Sequence, residues 1–349
     1  MSPQVGGCGD NEPMSPEAGR VPPRAPDPST LRPRLPSPLQ PVDDERFTRR
    51  GVRLLLKRDD LIHPEIPGNK WRKLALNLRA ADGRPLLTFG GAYSNHLRAT
   101  AAAGRLLGCP TIGVVRGDEL ASRPLNPSLA RCAADGMRLV FVERSVYRRK
   151  AEPQVLAGLL ERAAPEGGAY VIPEGGSNAL AARGCVELGR ELAAGLGLEP
   201  GPGGGSGTAA PGPGGQRHPA AVAVAAVACG TAGTLAGLAA GLPPTVRALG
   251  LPVLKGDFLA RETLRIQREA FGGRRGDWSL DGRFHAGGYA RTSPELTRFA
   301  DGFEAAHGVP LERMYVAKML LGLTTLAEEG AFAPGTRVVA VVTGRPEPV

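Results

Sequence analysis

Three times along this chain an apolar run of strand length ends in glycine and passes at once into a polar cluster fit to open a helix. The runs are LTFGGAYSNH (87–96), YVIPEGGSN (170–178) and AAVAVAAVACGTAGT (220–234). Glycine lets the backbone turn sharply, and a Ser, Thr or Asn side chain accepts from the free N–H groups of a helix's first turn. A chain that repeats strand, glycine turn and helix builds βαβ units, which force a mostly parallel sheet with helices on its faces. Ligands of such sheets sit at the carboxyl ends of the strands, so these turns are where chemistry is expected.

The remaining pattern points to the same α/β class. Further strands are predicted at 52–60, 110–117, 137–143, 246–254 and 337–344, and helices at 69–81, 94–108, 126–135 and 179–196. The 349 residues exceed the roughly 100–200 of a single domain, so two units are expected. Two segments stand apart. Residues 1–45 hold 11 of the 33 prolines and no hydrophobic periodicity, and are expected to be a disordered tail. Residues 199–219 hold 13 Gly or Pro among 21 and read as a flexible insertion in a surface loop, where added length costs little closure entropy.

The formal charge of +9 invites a nucleic-acid reading, but only six of the 43 basic residues are lysine. The arginines are dispersed, and no nucleic-acid-binding motif accompanies them, so a basic surface is the better account. Five scattered cysteines without a CxxC pair exclude a disulfide scaffold or zinc ribbon and suit a reducing cytoplasm. No charge-free apolar stretch of about 18 residues is present, and the first residues lack the pattern of a secretory signal. Neither a metal, a nucleic acid nor a membrane partner is expected.

Chemistry concentrates in a few places. CGTAGTLAG (229–237) joins glycines, the Thr231 and Thr234 hydroxyls and a helix start, a combination that stabilises an anion. It fits neither the dinucleotide fingerprint nor the nucleoside-triphosphate loop, so a lone phosphate is the better guest; a tight turn without a ligand remains the other reading. GNKWRKL (68–74) puts Lys70 in the first turn of a helix, where the dipole disfavours an ammonium and promotes a nucleophilic amine. Such a lysine can form a Schiff base with an aldehyde; a solvated helix-start lysine is the other reading. Gly90, Gly91, Ser94, Asn95 and His96 cluster at another strand end, suited to a carboxylate or an aromatic hydroxyl, although Ser94 or Asn95 could serve only as a cap.

A reactive lysine beside a phosphate cradle is a cofactor pattern, and here a resemblance carries further. The stretches KRDDLIHPEIPGNKWRKL, LTFGGAYSNH, IPEGGSNALAARG, ACGTAGTLAG, FHAGGYAR and MYVAKMLLGL, spread in order over about 46–344, resemble the tryptophan-synthase-β-like (fold type II) enzymes that use pyridoxal 5′-phosphate, PLP. Within them the chain is similar to the 1-aminocyclopropane-1-carboxylate deaminase and D-cysteine desulfhydrase family. The resemblance implies a large PLP-binding domain from 46–72 and 173–345, with a small α/β domain of 73–172 inserted. It implies that Lys70 holds the cofactor and moves the Cα proton, and that Asn95 bonds the ring hydroxyl. Ser94, Asn95 and His96 would face the substrate carboxylate, with Ser94 also near Lys70. Gly230, Thr231, Ala232, Gly233 and Thr234 would cradle the phosphate, Tyr289 and Tyr315 would stand by the reacting carbons, and Thr343 by the ring nitrogen.

Two departures bear on the reaction. Cyclopropane deaminases read YEGK, with the glutamate at the ring nitrogen, and desulfhydrases read YTGK; this chain reads Tyr315-Val316-Ala317-Lys318. The terminal TGG is here Thr343-Gly344-Arg345. A neutral hydroxyl at the ring nitrogen makes a weaker electron sink, adequate for expelling a good leaving group. The expectation is a cytoplasmic, homodimeric lyase of a small amino acid, D-cysteine desulfhydrase first, with the cyclopropane deaminase or a PLP-binding protein of little turnover as alternatives.

Overall fold

The computed structural model describes residues 27–66, 68–198, 222–288 and 290–346. Its strands are β1 (Leu39–Val42), β2 (Arg53–Lys57), β3 (Leu86–Gly90), β4 (Thr111–Arg116), β5 (Met137–Val142), β6 (Tyr170–Ile172), β7 (Ala223–Cys229), β8 (Val246–Pro252), β9 (Trp278–Leu280) and β10 (Arg337–Val341). The helices are α1 (Glu45–Thr48), α2 (Lys70–Ala81), α3 (Asn95–Leu107), α4 (Pro127–Ala134), α5 (Arg144–Arg148), α6 (Pro153–Ala163), α7 (Ala179–Gly195), α8 (Gly233–Gly241), α9 (Phe258–Phe271), α10 (Pro294–His307) and α11 (Val316–Glu328). They form two sheets, a six-stranded one in the order β1-β2-β10-β7-β8-β9 and a four-stranded one in the order β5-β4-β3-β6. Every pairing is parallel except that of β1 with β2.

The expected tail is ordered near its end. Residues 39–42, read as part of a disordered segment, are β1, which runs antiparallel along β2 with Leu39 opposite Lys57. A proline is tolerated there because β1 is an edge strand, where Pro41 removes no needed ladder bond. Residues 1–26 and the 199–219 insertion lie outside the described residues.

Both faces of the six-stranded sheet are covered. α10 and α11 pack on one, with Leu296, Phe303, Met319 and Leu320 fully buried; α7, α8 and α9 pack on the other. Strand β7 is buried at every position, which is why it reads AVAAVAC without a polar alternation. The scarcity of aromatics is met by close backbone approach. A Cβ on Gly237 would lie 2.2 Å from the Ala182 carbonyl oxygen, and one on Gly241 would lie 2.0 Å from that of Val186, so α8 rests directly on α7. In the four-stranded sheet α2 and α3 bury Leu74, Leu78 and Ala99 on one side, and α6 buries Leu159 and Ala163 on the other.

A buried ion network ties α2 to the large sheet. Arg72 donates to Asp59 through Nε and Nη2, each at 2.8 Å, and to Glu191 of α7 at 2.9 and 2.8 Å. Lys57 of β2 reaches Glu191 at 2.6 Å and the Ser37 carbonyl at 2.6 Å. Two cations meet two carboxylates, so no charge is left uncompensated. Breaking one partner would strand the others, a loss of about 3–5 kcal/mol. The network fixes the helix that starts with Lys70.

Candidate active site

The carboxyl ends of β3, β6, β7 and β10 converge on a cavity of about 330 Å³ between the two sheets. Of the residues expected from the sequence it gathers Lys70, Ser94, Asn95, His96, Gly230, Thr231, Thr234, Tyr315 and Thr343 in its lining. Ala232 and Gly233 lie buried within the same turn. Tyr289 falls outside the described residues.

One end of the cavity is built for an anion. α8 begins at Gly233 with no side chain capping it; the Gly233 N–H donates to the Thr231 carbonyl at 2.6 Å, and the next N–H, that of Thr234, stands at the positive end of the helix. Lys73, one turn after Lys70, aims its ammonium at this turn. It donates to the Gly175 carbonyl, to Ser177 Oγ at 2.8 Å and to Thr231 Oγ1 at 3.3 Å. Ser177 Oγ in turn donates to Thr231 Oγ1 at 2.7 Å. Asn69 Nδ2 donates to Thr234 Oγ1 at 2.8 Å, leaving that hydroxyl proton free for a ligand. Glycine is required by space: a Cβ on Gly175 would lie 2.6 Å from Thr231 Oγ1, and one on Gly230 would lie 2.9 Å from the Tyr315 ring. A helix start, hydroxyls and an ammonium are the donor set that a phosphate needs.

The other end carries the amine. Lys70 opens α2 behind Gly68, whose φ of +56° and lack of Cβ let it sit on the last strand; a Cβ there would lie 1.7 Å from the Thr343 carbonyl oxygen. The Asn69 amide donates to that same oxygen at 3.2 Å, so the lysine turn and the Thr343 turn are one unit. Burial pushes the Lys70 ammonium down to about 8. Burial, followed by the neighbouring Lys70, pushes Lys73 to about 7. Lys70 thus holds far more free amine near neutrality than an ordinary lysine would, and that is the form that condenses with an aldehyde.

Around Lys70 the polar groups are oriented by their own partners. Arg98 donates to Asn95 Oδ1, which turns the amide so that Nδ2 is left to donate; among the described residues it has no acceptor. Ser94 Oγ accepts from the Leu97 amide at 3.3 Å and caps α3. The His96 ring is locked in one tautomer. Thr88 Oγ1 donates to the Ile172 carbonyl at 2.8 Å, so it must accept from His96 Nε2–H, also at 2.8 Å. Burial, with Lys70 and Lys73 nearby, holds this imidazole well below its ordinary pKa and neutral. Its other nitrogen carries a lone pair, so the ring cannot act as the cation for a carboxylate; only the residue's backbone amide suits that task.

Several contributors were not foreseen. Lys73 could have been suspected from its place three residues after Lys70, on the same helix face. Lys318 is buried and donates to the carbonyls of His285 at 3.0 Å and Gly288 at 2.8 Å, tethering the loop that precedes Tyr289. Glu312 brings a carboxylate to the cavity wall. Burial raises its pKa, while the amides of Met314 and Tyr315 donate to its two oxygens at 2.8 Å each. No local pattern marks a glutamate of this kind. Val316, the first residue of α11, is fully buried in the core and is absent from the lining. Among the described residues no group of three or more His, Cys, Asp or Glu could hold a metal ion.

Fold and site together define an α/β protein with an anion cradle and a buried lysine amine set between two mostly parallel sheets. The chain belongs to the family of pyridoxal-phosphate dependent enzymes, whose family model matches residues 32–344. It is 29% identical to a D-cysteine desulfhydrase of Yersinia enterocolitica over 312 residues, covering 84% of this chain and 87% of the relative. It is 27% identical to a mitochondrial bifunctional D-cysteine desulfhydrase/1-aminocyclopropane-1-carboxylate deaminase of Arabidopsis thaliana, covering 84% and 72%. A crystal structure of an ACC deaminase homologue superposes with a TM-score of 0.68 at 25% identity, covering 91% of this chain and 94% of that one. The expected fold type II architecture and PLP dependence hold.

Proposed function

We propose that the protein is a D-cysteine desulfhydrase, converting D-cysteine and water to pyruvate, hydrogen sulfide and ammonia. The observation that carries this reading is the absence of residue 316 from the cavity wall: a valine buried in the core cannot pair with the ring nitrogen, which leaves Thr343 as the partner. When bound, pyridoxal phosphate supplies an electron sink for the charge left at Cα. Gly230, Thr231, Thr234 and Lys73 would hold its phosphate, and Asn95 Nδ2 its ring hydroxyl. Lys70 would take the Cα proton as the free amine, the form its depressed pKa makes more accessible. Tyr315, whose hydroxyl borders the Gly230 turn, would face the substrate's Cβ. A hydroxyl at Thr343 does not keep the ring nitrogen protonated as a carboxylate would, which favours substrates that lose a stable anion such as thiolate.

Cyclopropane deamination is the second reading, favoured by one feature: Glu312 supplies a buried carboxylate within the same lining. Both its oxygens are already held by amides, so the desulfhydrase reading is preferred. The proposal includes a cytoplasmic homodimer acting on a free amino acid. The buried free thiols of Cys185 and Cys229 accord with a reducing compartment, and no helix among the described residues is long and apolar enough to cross a membrane. Assaying purified protein with D- and L-amino acids for 2-oxo acid formation tests the reading, and activity on L-serine but not D-cysteine would reject it.

A further inference from the structure

The site described so far holds a cation for the phosphate but names none for the substrate's carboxylate, and the His96 ring is neutral. Arg116 fills that gap. It is the last residue of β4, whose parallel register sets Val115 opposite Gly90, so Arg116 leaves the sheet beside the glycine turn that leads to Ser94. A Cβ on Gly91 would lie 3.4 Å from Arg116 Nη2, which places the guanidinium across that turn and in the cavity wall. Among the described residues it has no carboxylate partner. The acidic groups of the wall are engaged elsewhere: Glu174 pairs with Lys150 at 2.8 Å, and Glu312 accepts from two amides. The Tyr147 ring lies 5.8 Å from the guanidinium carbon and orients the group without neutralising it.

On the same turn Ser94 caps α3 through the Leu97 amide, which leaves the Asn95 and His96 amides of the first helical turn without partners in the helix ladder. A guanidinium facing an open helix start is a two-sided site for a planar anion. The phosphate has its own cradle around α8, so this second site is free for another acid.

Resting on the amino-acid-lyase reading above, we propose that Arg116 is a substrate-binding residue that anchors the substrate's α-carboxylate against the Ser94–His96 turn. Arg116 is partly exposed and makes no ion pair among the described residues, so replacing it should spare the fold and the cofactor.

The test titrates holoenzyme with alanine, both enantiomers, and with alaninamide, reading the cofactor's visible absorbance in the native chain, R116Q and R116K. Arg116→Gln should weaken the response to alanine by on the order of 10- to 100-fold, as for a hydrogen bond between charged groups. The response to alaninamide should change less than about twofold, and R116K should restore part of the loss. With D-cysteine, KM should rise in R116Q while kcat stays within about threefold. Equal weakening for acid and amide, no weakening, or loss of the cofactor band in R116Q would each overturn the assignment. A native chain that answers to no amino acid would overturn the lyase reading and this inference with it; a native response that R116Q retains in full would overturn the inference alone.

Discussion

Lys70 and Lys73 stand one turn apart on α2 and differ in almost everything that decides what a lysine does. Lys73 has three oxygen acceptors on two loops of the cradle. Among the described residues Lys70 has only Asn69 Oδ1, at 3.4 Å. Both are desolvated, and both have depressed pKa values. The anchored lysine is fixed where an anion arrives and would be held protonated by it, whereas the loosely held one can exchange partners. Identical chemistry, placed at i and i+3 of one helix, thus serves binding on one side and reaction on the other.

Replacing each lysine should break this contrast most sharply. Lys70→Ala should lower turnover by roughly 10³-fold or more while the cradle still retains cofactor, because the proton-transfer group is lost but the phosphate donors are not. Measured cofactor content beside steady-state rate checks it; loss of cofactor as large as that of activity would mean the two ends are not separable. Lys73→Ala should do the reverse, weakening PLP affinity by about 10- to 100-fold as a charge-assisted bond disappears. At saturating cofactor its rate should recover most of the native value.

A smaller effect concerns pH. Free Lys70 amine is needed to capture the cofactor, and the ammonium form dominates below about pH 8. Reconstitution of apoprotein with PLP should therefore speed up as pH rises and level off above about 8 to 9. A rate that keeps climbing tenfold per unit through pH 10 would mean that Lys70 titrates like an ordinary surface lysine.

Smaller still is the expected cost of truncation. Removing residues up to 45 would take away β1 and with it the Ser37 carbonyl and hydroxyl, which bond Lys57 and Asp59. Thermal melting should fall by several degrees, as for a loss of about 1–3 kcal/mol, with the lysine contrast intact.

Much of this was legible in the sequence because the three glycine turns are local. Each needs only a strand's apolar run, a residue free of Cβ and a cap, and β3, β6 and β7 end where those signs stand. The Lys70 helix and the Thr231–Thr234 turn were legible for the same reason. β1 was hidden because Pro41 and the surrounding prolines mimic a disordered tail, while its stability comes from pairing with β2. Arg116 and Glu312 were hidden for another reason. Their roles depend on which strand ends the sheet order brings together, and nothing next to them in sequence records that.

The most direct test of the whole account sets D-cysteine against 1-aminocyclopropane-1-carboxylate on one preparation of holoenzyme. Sulfide and pyruvate are measured from the first, and 2-oxobutanoate from the second. Because each tenfold in rate is about 1.4 kcal/mol of barrier, a buried Val316 and a Thr343 hydroxyl predict a preference for D-cysteine above about a hundredfold. Comparable rates on the two substrates would contradict it, and would assign the missing acid to Glu312.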